Sequence, residues 1–328
     1  MSWNGGFCIS LDFELHWGIR DHSPLPQCRD HLLRTREAIP QMLERFKRYD
    51  IHATWATVGF LFASTKRELL EFSPEARPVY RDRRLDPYTE LTNLGEDEKR
   101  DPFHFAPSLI EQIARTPNQE IATHTFAHYL CQEAGQTRET FEADVNAAVA
   151  IANSKGYEIN SIVFPRGQVN RDYLPTVSKV GITAYRSAAP LFADRPETLQ
   201  QKQWLKRGLR LFDAYVPLSD GLSPRSGVVA SIAERPVPIE ESMFLRPYSP
   251  RLAALEGRRI ARIKSAMTSA AKAKRGFHLW WHPHNFGAFT DKNLEILEEV
   301  LAHAVMLEQA HCWPSVTMSE WAQAALSP

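Results

Sequence analysis

The chain contains 328 residues, of which 43% are hydrophobic and 24% are charged, and its 39 basic side chains balance 39 acidic ones. This composition is typical of a folded globular protein and excludes a disordered or collagen-like chain. Because the net charge is zero, no overall field attracts nucleic acid, and we expect no nucleic-acid partner.

Alternation of short apolar segments with longer helical ones is the main structural signal. Segments rich in β-branched and aromatic residues predict seven strands, at 6–12, 52–58, 120–124, 161–164, 182–186, 277–281 and 313–316. Each segment is mostly apolar, as expected for parallel strands that are buried on both faces. The pattern predicts an α/β barrel, and because such barrels tolerate insertions we expect a single domain over residues 1–328.

Three helices are predicted between these strands. Apolar residues recur at helical spacing from Leu32 to Phe46, where Pro40 is expected to bend or restart the helix. Thr137 is a suitable cap for a second helix that ends at Gly156, and a third helix covers 291–311. We expect these helices to form the outer layer of the barrel.

Two proline-rich stretches, 72–107 and 187–250, interrupt the alternation. We expect both to be insertions within the single domain, with one helix near 199–214. Asp101 and His104 fall in the first stretch, where we expect a solvated loop. Insertions of this length usually form lids or walls of functional sites.

Basic residues dominate the stretch 246–275, in which Glu256 is the one acidic residue. Such a run can be the solvated face of a helix, or it can bind a diphosphate-bearing or membrane-anchored substrate. Charge alone does not decide between these two interpretations.

The four cysteines, Cys8, Cys28, Cys131 and Cys312, are widely spaced and form no CxxC pair. Neither a structural zinc site nor a disulfide framework is indicated, which favours a reducing compartment. The amino terminus lacks a basic leader with an apolar core, and no apolar run reaches the ~18 residues of a membrane span. We therefore expect a cytoplasmic protein without a transmembrane segment.

Two acidic residues, Asp12 and Glu14, stand at the end of the first predicted strand, with Phe13 between them. Because side chains alternate along a strand, the two carboxylates point to the same side and can converge on one site. The pair alone is weak evidence for function, since acidic residues are common at strand ends.

Two histidines, His124 and His128, follow the third predicted strand. This spacing suits two imidazoles that bind one metal ion, as in zinc proteases, where a glutamate follows the first histidine and acts as the base. Thr125 occupies that place here, and the segment begins as a strand. The protease interpretation therefore lacks both its base and its helical context.

A third cluster, His282-Pro283-His284-Asn285, comes directly after an apolar strand. Histidine is the side chain that most readily changes protonation near neutral pH, which suits proton transfer. We expect His282 to be catalytic, and His284 and Asn285 to contact the substrate.

The fourth cluster is the turn that contains Arg166 and Gln168, again after a strand. An arginine there can pair with a carboxylate, hold it ionised and orient it. We expect Arg166 to act in this way on a catalytic carboxylate and Gln168 to contact the substrate. All four clusters lie at the carboxyl ends of predicted strands, where barrels assemble their active sites.

In order and spacing, these clusters resemble the polysaccharide deacetylase family, the NodB-homology carbohydrate esterases, from residue 9 to about 286. Asp12 resembles the family's catalytic base, Glu14 its metal-binding acid, and His124 with His128 its H-[ST]-x-x-H metal motif. The strand that ends at His282 resembles the last motif, whose histidine is the general acid. The resemblance implies a distorted (β/α)7 barrel. Segments such as EIATHTFAHYL and WWHPHNFG are similar to a subgroup associated with bacterial surface-glycan biosynthesis.

The sequence departs from the family pattern at three places. The usual Asp-Asp pair is replaced by Asp12-Phe-Glu14. The usual Arg-x-Pro motif is replaced by Pro165-Arg166, which leaves open whether Arg166 reaches Asp12. The tryptophan of the family's fourth motif has no clear counterpart, and Trp204 is the candidate.

The resemblance implies a metal-dependent hydrolase that removes an N-acetyl group from a sugar unit of a glycan or glycan precursor. Zn²⁺ is the expected ion, with Co²⁺, Ni²⁺ and Fe²⁺ as alternatives. Asp12 is expected to take a proton from the metal-activated water, and His282 to protonate the leaving amine. Trp17, Trp280 and Trp281 are expected to offer apolar faces to sugar rings.

Three alternatives remain open. Two histidines and one carboxylate also form the facial triad of iron oxygenases, although that chemistry gives Asp12 and His282 no role. A hydrolase of the same fold can instead open a cyclic amide or imide. The third alternative is a catalytically inactive domain that binds glycans.

Overall fold

Parallel β-strands form one continuous sheet in the computed structural model, which describes residues 5–188 and 236–326. Every strand pairing is parallel, so all carboxyl ends lie at the same end of the sheet. The strands are β1 (Phe7–Phe13), β2 (Ala53–Thr57), β3 (Gln119–Thr123), β4 (Ser161–Ile162), β5 (Ala184–Ser187), β6 (Val237–Glu240), β7 (Met243–Phe244), β8 (Phe277–Trp281) and β9 (Ser315–Val316).

One bent segment closes this sheet into a barrel. The sheet has the order β6-β5-β4-β3-β2-β1-β8-β7, and β6 is joined to β7 by two residues. Glu241 donates its backbone N–H to Ser187 of β5, and Ser242 donates to His278 of β8. The chain therefore passes from one edge of the sheet to the other. With β6 and β7 counted as one strand and β9 set aside, this is the expected distorted seven-stranded barrel.

All seven predicted segments contain a strand, but the last one is not part of the barrel wall. Within 313–316 only Ser315 and Val316 form a strand, β9, which pairs with Phe7 and Cys8, the β1 residues on the amino-terminal side of those that pair with β2. The closing strand lies instead at 237–244, inside the stretch predicted as an insertion. Pro238 and the short pairing lengths hide this strand from a sequence pattern. The helix expected near 199–214 lies outside the described residues.

Helices surround the barrel as predicted. The described helices are α1 (Leu25–Arg48), α2 (Lys66–Phe72), α3 (Pro107–Arg115), α4 (Arg138–Ser154), α5 (Leu174–Lys179), α6 (Glu256–Lys272), α7 (Thr290–His311) and α8 (Met318–Leu326). Thr137 caps α4 by accepting a hydrogen bond from the backbone of Thr140, whose side chain accepts in return. α1 continues through Pro40 as one helix, so the expected restart is wrong.

Strand β1 separates the outer core from the barrel interior. Its odd residues, Phe7 to Phe13, pack against the surrounding helices, whereas Cys8 belongs to an interior cluster with Val237 and Trp321. Trp321 lies on α8, which fills the amino end of the barrel. The polar side chains of the predicted site lie at the opposite, carboxyl end of the barrel, as in other strand-helix barrels.

A buried histidine network joins the first insertion to the loop after β1. The side chain of Asp101 contacts Nδ1 of His104 at 2.8 Å, and Nε2 of His104 lies 2.9 Å from Nδ1 of His16. His16 Nε2 faces the carbonyl of Ser23 at 3.1 Å and must therefore carry the proton. His16 then accepts at Nδ1 from Nε2 of His104. Asp101 and His104 are buried, and the expected solvated loop is wrong.

The basic stretch makes structural contacts on α6. Arg259 is buried and pairs with Glu256, and Lys264 pairs with Glu299 of α7 at 2.8 Å. These contacts fit the face of a packed helix and do not by themselves indicate a bound phosphate or lipid. In the described ranges, none of the helices combines the length and the apolarity that crossing a membrane requires.

His278 provides a test of the barrel interior by pH. It is fully buried on β8, its Nε2 lies 2.8 Å from the hydroxyl of Ser10, and burial lowers its pKa to about 3. The unfolded chain takes up a proton near pH 6.5 and the folded one does not, so this histidine makes stability fall as the pH drops from about 6.5 towards 3. Between pH 7.5 and pH 5, wild type should lose about 2 kcal/mol more unfolding free energy than His278→Gln.

Urea unfolding of both proteins at the two pH values measures this difference. Contributions from other histidines cancel in the comparison. Equal pH dependence in the two proteins would show that His278 is protonated, or accessible to water, in the native state.

Candidate active site

Two carboxylates project into the carboxyl end of the barrel from β1. Asp12 and Glu14 are each 3% exposed, and Nε2 of His282 lies 3.7 Å from an oxygen of each. The predicted convergence of the two acids is therefore present. Gly18 lies so close to Glu14 that a Cβ at this position would be 1.9 Å from the carboxyl carbon, so any larger residue there would displace this carboxylate.

His124 and His128 meet the carboxylate of Glu14. Oε2 of Glu14 lies 3.3 Å from Nε2 of His124 and 3.2 Å from Nε2 of His128. The two histidines follow β3 on a loop, with left-handed backbone at Thr125 and His128, and not on a helical turn. Among the described residues these three side chains form the one cluster able to hold a metal, with ligand atoms within 4.8 Å of one another.

The donor set fits a divalent metal ion. His124 donates from Nδ1 to the carbonyl of Val163 at 2.8 Å, which leaves Nε2 to face Glu14. A divalent cation between this nitrogen and the carboxylate oxygen would bind both. The distances of 3.2 and 3.3 Å match the spacing of about 3.3 Å between ligands of one tetrahedral ion with bonds of about 2.0 Å.

The loop that carries the two histidines is held by Asp144 of α4. This carboxylate is 1% exposed and accepts hydrogen bonds from the backbone N–H groups of Phe126 and Ala127 at 2.8 and 3.1 Å. Burial raises the pKa of Asp144 to about 7, against the opposing effect of the two N–H donors. Asp144 fixes the left-handed backbone on either side of these residues and was not identified in the sequence.

Arg186, and not Arg166, pairs with Asp12. Its Nη1 and Nη2 each lie 2.7 Å from a different oxygen of Asp12, and both side chains are buried. Arg166 reaches Asp21 at 2.7 Å instead, because its turn has left-handed backbone at φ 56° and directs the side chain away from Asp12. The expected pairing of Arg166 with the catalytic carboxylate is therefore corrected.

A signal for Arg186 was present in the sequence. In the strand Ala184–Ser187, Tyr185 packs with the outer core and Ala184 with the interior, so Arg186 faces inward. A charged residue at an inward position of a buried strand must be paired. The Pro165-Arg166 motif after β4 suggested Arg166 as the partner of the catalytic carboxylate instead.

His282 and His284 face the second oxygen of Glu14. Nε2 of His282 and Nδ1 of His284 each lie 3.7 Å from Oε1. Burial lowers the pKa of His284 to about 3, so it is neutral at pH 7. Each carboxylate oxygen of Glu14 thus has two imidazole nitrogens within 3.7 Å.

The remaining predicted substrate contacts divide into buried and accessible residues. Trp17 and Trp281 are fully buried in the outer core, and their expected contact with sugar rings is wrong. Gln168 is buried and bonds to Gln132 and Glu133, whereas Asn285 is partly exposed. Trp204 lies outside the described residues.

Electrostatic effects keep both acids ionised. Burial alone raises the pKa of Asp12, but Arg186, His124 and His282 together outweigh it, and the pKa lies below its ordinary value. Burial likewise raises the pKa of Glu14, but the surrounding histidines outweigh this effect and lower the pKa well below its usual range. His128, by contrast, has a lowered pKa because burial disfavours its charged form, so it is available as a neutral ligand.

Comparison with known proteins indicates a family resemblance. Residues 30–185, somewhat less than half of the chain, match the family model for polysaccharide deacetylases. Over this segment, which contains His124 and His128, the chain is similar to that family. The match supports deacetylase activity in general terms. No curated protein sequence matches this chain.

Solved structures share the fold of this chain. A protein from Mycobacterium smegmatis described as a polysaccharide deacetylase matches with a TM-score of 0.60 and 14% identity, over 100% of this chain and 95% of its own. The PuuE allantoinase matches at 0.54 and 12%, over 97% and 88%. A Pseudomonas aeruginosa PAO1 protein described as a polysaccharide deacetylase matches at 0.52 and 11%, over 97% and 89%. At these identities the likeness concerns the fold alone.

The Asp144→Asn substitution tests how the histidine loop is held. An amide can accept from only one of the two N–H groups and turns its own donor towards the other, which should cost about 1–3 kcal/mol of unfolding free energy. Hydrogen exchange should also become faster in the 124–130 segment. Denaturant unfolding and exchange mass spectrometry measure the two effects.

Asp30→Asn, on the exposed face of α1, is the matched control and should change neither quantity. If Asp144→Asn behaved like this control, the carboxylate would not determine the conformation of the loop.

Proposed function

We propose that the protein is a metal-dependent deacetylase that removes the N-acetyl group from a sugar unit of a glycan or glycan precursor. The observation that carries this proposal is the convergence of a Glu14 oxygen with Nε2 of His124 and of His128, beside a second carboxylate that is not part of the cluster. The match to the family model supports the deacetylase chemistry.

Glu14, His124 and His128 would hold the ion, for which Zn²⁺ is the first choice and Co²⁺, Ni²⁺ and Fe²⁺ are alternatives. When bound, a divalent ion lowers the pKa of a water ligand from ~15.7 towards ~7 and polarises a carbonyl group. Three protein ligands leave coordination positions open, as in catalytic and not in structural sites.

Asp12 is the proposed base. Arg186 engages both of its oxygens, holds the carboxylate ionised and fixes its orientation. A carboxylate has about four acceptor positions, so Asp12 can still accept the proton of an attacking water.

His282 is the proposed acid. Its Nε2 lies 3.7 Å from both Asp12 and Glu14, and its side chain is 26% exposed, so it faces the place where substrate enters. A protonated imidazole there can protonate the amine as it leaves. No covalent intermediate is needed, and His282 needs only to regain a proton for the next cycle.

The substrate and setting are proposals that rest on the sequence. We propose an N-acetylated sugar of a bacterial surface-glycan precursor, handled in the cytoplasm by a single domain over residues 1–328 with insertions at about 72–107 and 187–250. Contact of the 246–275 stretch with a diphosphate or membrane-bound carrier is not needed for this proposal.

A second candidate is the hydrolysis of a cyclic amide or imide, because an allantoinase shares the fold at a TM-score of 0.54. The two activities differ in product, and the fold does not choose between them. Acetate release from N-acetylated sugars, compared with ring opening of cyclic ureides, separates them. Sugar binding without either reaction would indicate the inactive glycan-binding alternative.

Variants of the site residues test the assignment of roles. Asp12→Asn should abolish acetate release while the protein retains its metal, because Asp12 is not a ligand. His124→Ala should lose both metal and activity. Metal content after gel filtration and an acetate assay on the same samples give the two readouts. A metal-free Asp12→Asn protein would show that the roles of Asp12 and Glu14 are reversed.

Replacing each arginine in turn distinguishes the two candidates for the partner of Asp12. Arg186→Gln removes the cation that lowers the pKa of Asp12, so the acid limb of the kcat/KM profile should move to higher pH by about 1–3 units. Arg166→Gln leaves that cation in place and should not move the limb. A shift in Arg166→Gln and none in Arg186→Gln would contradict the proposed arrangement.

A further inference from the structure

The guanidinium group of Arg186 has contacts besides its ion pair with Asp12. Its Nη1, which lies 2.7 Å from Asp12, also donates to the hydroxyl of Ser10 at 3.0 Å. Trp280 covers the face of the group, with Cζ 4.3 Å from the ring centroid. A second and partly exposed acid, Glu241, lies 3.8 Å from Nε. Because Arg186 has this competing partner, its orientation on Asp12 depends on the contacts that hold it.

Ser10 holds Nη1 from the same strand as Asp12. It stands two residues before Asp12 on β1, so both side chains face the barrel interior, and Ser10 is fully buried. Nη1 of Arg186 is therefore bound by two acceptors whose spacing is fixed by the backbone of one strand. An arginine donates and cannot accept, so the hydroxyl of Ser10 keeps its own hydrogen for another partner.

His278 is that other partner. The pairing of β8 with β1 places it beside Ser10, and its Nε2 lies 2.8 Å from the hydroxyl oxygen. Within the described ranges this hydroxyl bonds only to His278 and Arg186, so its hydrogen is directed at Nε2. Burial lowers the pKa of His278 to about 3, which leaves the imidazole neutral at pH 7 and able to accept. A chain of hydrogen bonds thus runs from His278 through Ser10 to Arg186.

Packing alone gives no reason for these two polar residues. The neighbouring interior cluster is apolar and includes Cys8, which pairs with His278 in register, and Ala184, two residues before Arg186. Apolar residues in place of Ser10 and His278 would leave no polar group to be satisfied inside the barrel. The orientation of the guanidinium group, by contrast, requires an acceptor at Ser10 and a second acceptor for its hydroxyl hydrogen.

We propose that Ser10 and His278 are positioning residues, which hold Arg186 in the orientation that engages both oxygens of Asp12. The inference rests on the proposed function, in which Asp12 is the base. Both side chains are fully buried and therefore do not touch the substrate. They act on the reaction only through Arg186, so their loss should lower kcat and leave KM unchanged.

Three variants test this role by acetate release. Ser10→Ala removes the acceptor of Nη1 and should lower kcat about tenfold, with KM within about twofold of wild type. His278→Leu removes the acceptor of the Ser10 hydroxyl and should have a similar effect. His278→Gln retains an amide oxygen that can accept this hydrogen and should keep kcat within about twofold of wild type. Ser10→Ala combined with His278→Leu should be no worse than either alone, because both act through one chain.

Nuclear magnetic resonance of arginine labelled with ¹⁵N gives a readout that needs neither substrate nor metal. Rotation of the guanidinium group exchanges Nη1 and Nη2, and the signals of Arg186 are identified by their loss in Arg186→Gln. In Ser10→Ala and in His278→Leu this rotation should be about tenfold faster than in wild type, as expected from the loss of one hydrogen bond to a charged group. His278→Gln should rotate at the rate of wild type.

Ser161→Ala is the matched control. Ser161 is also fully buried inside the barrel, on β4, but its hydroxyl donates to Glu120 at 2.6 Å. This variant should change neither kcat nor the rotation of Arg186. Unchanged rotation in Ser10→Ala, an equal effect in Ser161→Ala, or loss of kcat in His278→Gln would overturn the proposal. Faster rotation in Ser10→Ala, in a protein whose wild type releases no acetate, would support the positioning of Arg186 and reject the proposed function.

Discussion

The buried ion pair between Asp12 and Arg186 is the interaction on which the site depends. A carboxylate that is 3% exposed inside a barrel would take up a proton if it had no partner, because a low dielectric penalises its charge. Arg186 supplies two parallel hydrogen bonds and is itself covered by Trp280, so the charge is fixed in place as well as in sign. A neutral Asp12 would be unable to accept a proton, and the proposed chemistry would have no base.

Glu14 presents the complementary problem, because it is surrounded by imidazoles and not by a permanent cation. His128 and His284 are driven towards their neutral forms by burial, and the tautomer of His124 is fixed by Val163. A divalent ion held by Glu14, His124 and His128 would supply the positive charge that this carboxylate lacks, which is why we favour a metal over a protonated histidine cluster.

Elements with a strong local signal were predictable from the sequence. Alternation along β1 placed Asp12 and Glu14 on one side, and the positions of His124 and His282 after apolar strands placed them at the same end of the barrel. The closing strand at 237–244 was missed because its two short halves pair with different neighbours, β5 and β8, and neither half has a pattern of its own. Such a strand is defined by the edges that it joins, which depend on tertiary structure.

Arg166 was the predicted partner of Asp12, and Arg186 is the observed one. The difference shows that the position of a motif is weaker evidence for an ion pair than the direction of a side chain on a strand. A turn can direct its side chain anywhere, and the left-handed backbone at Arg166 takes the guanidinium to Asp21. A side chain within a barrel strand has only two directions, inward or outward, and Arg186 is inward. The barrel brings the inward residues of β5 and β1 together, so Arg186 supplies the cation that Asp12 requires from a strand far away in the sequence. The ionisation of Asp12 therefore depends on the closure of the barrel and not on a neighbouring motif.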